Sequence, residues 1–241
     1  MLFTWRVKTG ERRDVALRRS GFSRELLRQS HVAIRNVPMP RRLDSREPAS
    51  RGPSRGRCFV YVLPCAYEDI LKLGFSREPL QRMQALHPRW FEFFELDEAF
   101  LIETETVRDA RDMELGLQRV VAEHNAPAPL VIRRAAAGHG EWYRGALPTL
   151  SRAAETLAAG GYIPHAPLRP WLRARLVERS DRLFSWTLAM LSADDLEAAV
   201  RTPAQRDVRD VLDGFVALEI DVEPLVPAAV LEWFRRPRPA G

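Results

Sequence analysis

The sequence predicts an α+β fold: a small antiparallel sheet flanked by helices, with a basic arm before it and helices after it. Three observations carry this. Residues 58–63 and 70–75 are short, mainly apolar runs around a brief turn, which reads as a strand pair. Apolar residues recur at helical spacing along 106–124 and again along 171–191. Residues 36–57 carry Pro38, Pro40, Pro48, Pro53, Gly52 and Gly56, so they cannot bury a core and read as a flexible linker.

The elements follow in order. Residues 11–35 read as mostly helical, with a break at Gly21 and only a weak apolar face. After the linker come strands at 58–63 and 70–75, a helix at 78–87, a strand near 93–103 and a helix at about 106–124. A Pro-, Ala- and Gly-rich loop runs to Gly140, and a short strand spans 141–144. Pro148 suits the first turn of a helix over 148–159, and Gly160-Gly161 ends it. Three strands in one sheet are expected. From 164 the texture is helical: 171–191, 193–201, 204–218 and 227–235. Ser192 before Asp194, Asp195 and Glu197 marks one helix start. The expected organisation is an arm and linker at 1–57, a core domain at 58–163 and an all-helical extension at 164–241.

Composition bounds the function. The chain has 241 residues, 46% hydrophobic and 29% charged, which is ordinary for a globular protein. No apolar run approaches the ~18 residues of a membrane helix, so no membrane partner is expected. Nothing at the N-terminus reads as an export signal. Cys58 and Cys65 make neither a disulfide scaffold nor a structural zinc site, and a reducing cytoplasm is the expected location. Residues 1–57 hold 15 Lys+Arg and 5 Asp+Glu, whereas residues 58–241 hold 22 and 27. A basic arm on a slightly acidic body suits a phosphate backbone, and it equally suits a solvated arm without a ligand.

The candidate chemistry starts at Lys72. It is one of two lysines, the other being Lys8, and it sits between Leu71 and Leu73 in an apolar strand. Glu114 is a second anomaly. Val107, Ala110, Glu114, Leu117, Val121 and His124 share one helix face, which places a carboxylate inside an apolar or small-residue stripe. A buried carboxylate needs a cation, hydrogen bonds or a metal. The alternative is a rotated helix with Met113 inside and Glu114 exposed. Tyr61 lies in the first strand, and Arg82 in the short helix is shaped to clamp a phosphate or to lie over apolar neighbours. His87, Asn125 and Glu141 complete the polar set.

In order and spacing these residues resemble the GIY-YIG endonuclease superfamily over roughly residues 58–162. Phe59-Val60-Tyr61 stands where that family has Gly-Ile-Tyr, and Lys72-Leu73-Gly74 where it has Tyr-Ile-Gly. Gly74-Phe75-Ser76, Leu80 and Arg82 are similar to the family's glycine, hydroxyl residue and functional arginine. Glu114 matches its metal-binding glutamate, and Asn125 the asparagine that often follows. Gly140-Glu141-Trp142-Tyr143 resembles the Gly-Glu-Trp-Phe segment of a phage-associated branch whose second motif reads Lys-Ile-Gly. The chain departs from the pattern at Phe59 and Lys72.

The resemblance implies a DNA endonuclease with one divalent metal, Mg2+ or Mn2+, on Glu114 or, as a weaker match, Glu141, and no organic cofactor. Arg82 would contact the scissile phosphate. Tyr61 would take the proton of the attacking water, with Lys72 lowering its pKa or touching phosphate, and His87 would assist. A nucleic-acid-binding module that has lost activity is the alternative, and a protein-interaction scaffold a third. The sequence leaves the oligomeric state open.

Overall fold

The computed structural model describes residues 55–132, 138, 140–198 and 202–237. The helical reading of 11–35 and most of the linker lie outside them. The sheet is antiparallel throughout and has six strands, not three, among the described residues. The strands are β1 (Arg55–Pro64), β2 (Ile70–Ser76), β3 (Phe100–Thr106), β4 (Asn125–Ala126), β5 (Trp142–Arg144) and β6 (Ile163–His165), in the order β4-β5-β2-β1-β3-β6. The pairing is mixed only in sequence distance: β1 and β2 form a hairpin, while β4, β5 and β6 add short edges from far along the chain.

β1 is central because both of its faces are apolar. Phe59, Tyr61 and Leu63 point to one side, and Cys58, Val60 and Val62 to the other, all of them buried. Two helical layers cover the sheet. On the Val60 side lie α3 (Val107–Val120) and α4 (Leu147–Ala159), packed through Ala110, Met113, Leu117, Leu150 and Leu157. Thr106 caps α3 by accepting from the Asp109 N–H at 3.1 Å.

The Tyr61 side is covered by α1 (Pro79–Leu86), α2 (Trp90–Phe93) and five later helices: α5 (Leu168–Val177), α6 (Leu183–Met190), α7 (Ala193–Glu197), α8 (Pro203–Ala217) and α9 (Ala228–Arg235). Leu172, Leu183, Leu212, Phe215 and Trp233 of these helices share one buried cluster with Tyr61 and Leu101 of the sheet. The helices after 164 therefore complete the sheet's own core. An ion cluster fastens them: Arg89 donates to Asp210 at 2.9 Å and to Asp213 at 2.8 Å, both on α8.

Four local expectations change. β1 opens at Arg55, inside the expected linker. The aromatic run at 90–93 forms the single helical turn α2, and the strand expected near 93 begins only at Phe100. The helix expected over 171–191 is interrupted by a 3-10 turn at Ser180–Arg182. His165 ends a strand on the β3 edge, so the segment from 164 is not wholly helical. No described helix is long and apolar enough to cross a membrane.

Candidate active site

The hairpin register builds the centre of the site. Tyr61 stands opposite Gly74, and Lys72 opposite Leu63 and Trp142. The Tyr61 ring lies over Gly74: a Cβ there would come within 2.7 Å of Tyr61 Cζ and closer still to its hydroxyl. Glycine at 74 is what lets the ring lie flat against β2.

Lys72 is fully buried. Its ammonium donates to Glu141 Oε2 and, at 2.9 Å, to the Gly138 carbonyl. It also lies 5.7 Å from the centroid of the Trp142 ring. Burial lowers the pKa of Lys72, and Glu141 opposes that shift. Glu141 is placed by backbone bonding: the Leu73 N–H donates to its carbonyl at 3.1 Å. Asn125 secures both neighbours of Glu141, donating from Nδ2 to the Gly140 carbonyl at 2.8 Å and the Trp142 carbonyl at 3.3 Å. Asn125 is therefore a positioning residue.

Arg82 reaches the same place from α1. Its Nε donates a long 3.4 Å bond to the Tyr61 hydroxyl. Gly138, at φ 71°, marks the point of convergence: a Cβ there would meet Glu141 Oε2 at 2.7 Å, Lys72 Nζ at 2.8 Å and Arg82 Nη2 at 3.1 Å. Tyr61, Lys72, Arg82 and Glu141 thus meet around one spot.

Glu114 comes from α3, in the other helical layer. It is buried, at 6% exposure, among Ala110, Leu117 and Val121 as the stripe reading expects and against the rotated-helix alternative; Met113 is buried as well. Among the described residues no side chain hydrogen-bonds to its carboxylate. Burial pushes its pKa up to about 7, the negative charge of Glu141 adds to the rise, and Lys72 and Arg111 oppose it. Glu114 therefore feels the charges of Glu141 and Lys72 in the cluster.

The contacts of Tyr61, Lys72 and His87 bear on the roles expected of them. Burial drives the Tyr61 phenol up to about 12, and the cation opposing that shift is Arg82. The Lys72 ammonium is bonded to Glu141 and the Gly138 carbonyl. A neutral phenol at this position donates a hydrogen bond rather than accepting a proton. His87 ends α1, stacks on Phe93 at 4.6 Å between centroids and accepts from the Arg89 N–H at 3.2 Å, contacts that hold a turn.

Gly138 and Trp142 belong to the site and had not been assigned roles. The Trp142 indole N–H is buried without a hydrogen-bond partner among the described residues. The signal available for Gly138 is its place two residues before Gly140, in a Gly-x-Gly-Glu run.

The donor set fits a hard cation. No group of three His, Cys, Asp or Glu side chains able to hold a metal occurs among the described residues. Mg2+ does not require one: it is commonly held by one or two carboxylates, with water and phosphate oxygens in the other positions. Glu114, buried and with no side-chain hydrogen bond among the described residues, is the group a cation would satisfy. Comparison with protein-family models, curated proteins and solved structures gives no match in any of the three.

Proposed function

We propose that the chain is a metal-dependent DNA endonuclease that hydrolyses phosphodiester bonds, with a site of the GIY-YIG kind. The observation that carries this reading is the meeting of Tyr61, Lys72, Arg82 and Glu141 at Gly138, with Glu114 coupled to it through space. The set combines a guanidinium, a phenol, a buried ammonium and two carboxylates, the groups that in-line attack on a phosphodiester uses.

Arg82 binds a non-bridging phosphate oxygen and neutralises charge that grows as the nucleophile approaches. The Tyr61 hydroxyl already accepts from Arg82, so its own proton is free to orient a water or a phosphate oxygen. Lys72 holds Glu141 and the Gly138 carbonyl in place beside Arg82. Glu114 and Glu141 would hold Mg2+ or Mn2+, which would supply Lewis-acid stabilisation of the phosphate.

One observation favours a second reading, a nucleic-acid-binding module without activity. The Lys72 ammonium is fully buried and engaged with Glu141 and a carbonyl, so it is not presented to a phosphate as it stands. Supercoiled plasmid incubated with the full chain separates the two. The nuclease reading expects nicked or linear product with Mg2+ or Mn2+, none in EDTA, and at least ~100-fold less with Arg82→Ala or Glu114→Ala. Salt-dependent binding with no product under any metal would establish the second reading in its place.

A further inference from the structure

A cavity of about 470 Å3 opens beside the proposed cleavage site, between α1, α5, the Ser180–Arg182 turn, α6 and α8. Its volume lies in the range of small-ligand sites. We infer that it receives an unstacked base of the DNA strand being cut, and this inference rests on the DNA-cleavage reading.

The lining is the argument. The floor is apolar, made by the buried side chains of Leu183 and Phe215. Trp186 presents a partly buried indole, and stacking on an aromatic face is how proteins hold unpaired bases of any sequence. Gln81 and Gln84, three residues apart on α1, form one ridge of the wall. Each amide offers both donors and an acceptor, which matches a base edge freed from its partner. Arg179 and Arg182, both exposed, also line it. Glu78 is the acidic group among the lining residues, and it is paired with Arg179 at 2.7 Å, so the lining keeps one net positive charge for a phosphate. An apolar peptide side chain would fill the floor but leave both amides unanswered and gain nothing from the arginines.

Position supports the same ligand. Gln81 directly precedes Arg82, whose guanidinium bonds to Tyr61. One short helix therefore serves both places: Arg82 turns to the proposed phosphate position, and Gln81 and Gln84 line the cavity. A strand with a phosphate at Arg82 lies against the helix that also lines the cavity. A paired base cannot enter, so the inferred preference is for unpaired or frayed DNA.

The test uses the full chain in EDTA and labelled oligonucleotides of one sequence: single-stranded, single-stranded with a central abasic position, and duplex. Anisotropy should show tighter binding to the single strand than to the duplex. Trp186→Leu should weaken single-strand binding about tenfold or more, Gln81→Ala/Gln84→Ala severalfold, and Trp186→Phe, which keeps a stacking face, should restore most of the loss. The abasic strand should respond less to Trp186→Leu. Thermal unfolding of each variant reports on folding. Equal binding of all three oligonucleotides by wild type and by a folded Trp186→Leu variant overturns the inference. Cleavage that proceeds while Trp186 has no effect rejects the cavity and leaves the nuclease reading standing. Trp186-dependent single-strand binding without cleavage under any metal rejects the nuclease reading and leaves the cavity standing.

Discussion

Gly74→Ala tests the site through its tightest contact. In the native structure the Tyr61 ring lies on the face of Gly74, and an added Cβ would sit 2.7 Å from Cζ and 2.9 Å from Cε2. Ordinary contact begins near 3.4 Å, so Cζ must move by about 0.7 Å and the closer hydroxyl by more. Tyr61 is only 2% exposed and packs in the main core cluster, which leaves it little room. Overpacking of this kind costs ~1–3 kcal/mol. For a domain of this size that lowers Tm by roughly 2–4 °C per kcal/mol. Activity should suffer more than stability, since a misplacement near 1 Å in a catalytic constellation costs ~100-fold. Urea unfolding and single-turnover cleavage measure the two effects. Pairing the change with Tyr61→Leu removes the collision, so the double variant should be more stable than the sum of the singles by at least ~0.5 kcal/mol. A Gly74→Ala protein within ~0.5 kcal/mol of wild type that cuts at the wild-type rate would refute the reasoning.

Further outcomes are expected. Lys72→Met leaves the half-exposed Glu141 carboxylate without its cation and the Gly138 carbonyl without its donor, so stability by urea unfolding should fall by ~1–3 kcal/mol, while cleavage falls at least tenfold; a loss of stability with full activity would make Lys72 purely structural. The raised pKa of Glu114 means that the folded state holds its proton more tightly than the unfolded chain, which ionises near 4.5. The stability this group contributes is therefore complete below pH 4.5 and is lost as pH rises through about 7, by ~3 kcal/mol at most. Glu114→Gln should flatten that part of a Tm-against-pH curve. Cleavage at sub-saturating Mg2+ should rise through the same window, and saturating Mg2+ should move the rise to lower pH. Asn125→Ala deletes the bonds to the Gly140 and Trp142 carbonyls, so amide exchange around Glu141 should quicken while global stability drops only ~1 kcal/mol.

Much of the centre was legible in the sequence, because its signals are local. A lysine between two leucines and a glutamate in a small-residue stripe both break a burial pattern, and both proved buried. The β1–β2 hairpin follows from alternation over a short turn. What failed to show was non-local. β4 and β6 are two and three residues long, and only strands distant in sequence make them strands. The helices after 164 carry generic apolar faces, and nothing in their periodicity says that they cover the Tyr61 side of the sheet. The partner of Lys72 was not legible either: the register puts it across from Leu63, on the Tyr61 face, but its ammonium is bonded to Glu141 and the Gly138 carbonyl, which come from far along the chain. The strand expected near 93–103 starts late, at Phe100, while Phe94 makes an isolated bridge to Cys65.

The central claim is that Arg82 and Glu114 serve one phosphodiester-cutting site. Single-turnover cleavage of an end-labelled DNA tests it directly, with wild type, Arg82→Ala and Glu114→Gln compared in Mg2+ and in EDTA. The account predicts cleavage by wild type in Mg2+ alone and a loss of at least ~100-fold in both variants, with their folds intact by circular dichroism. Cleavage by both variants at the wild-type rate, or equal cleavage by wild type in EDTA, would contradict it.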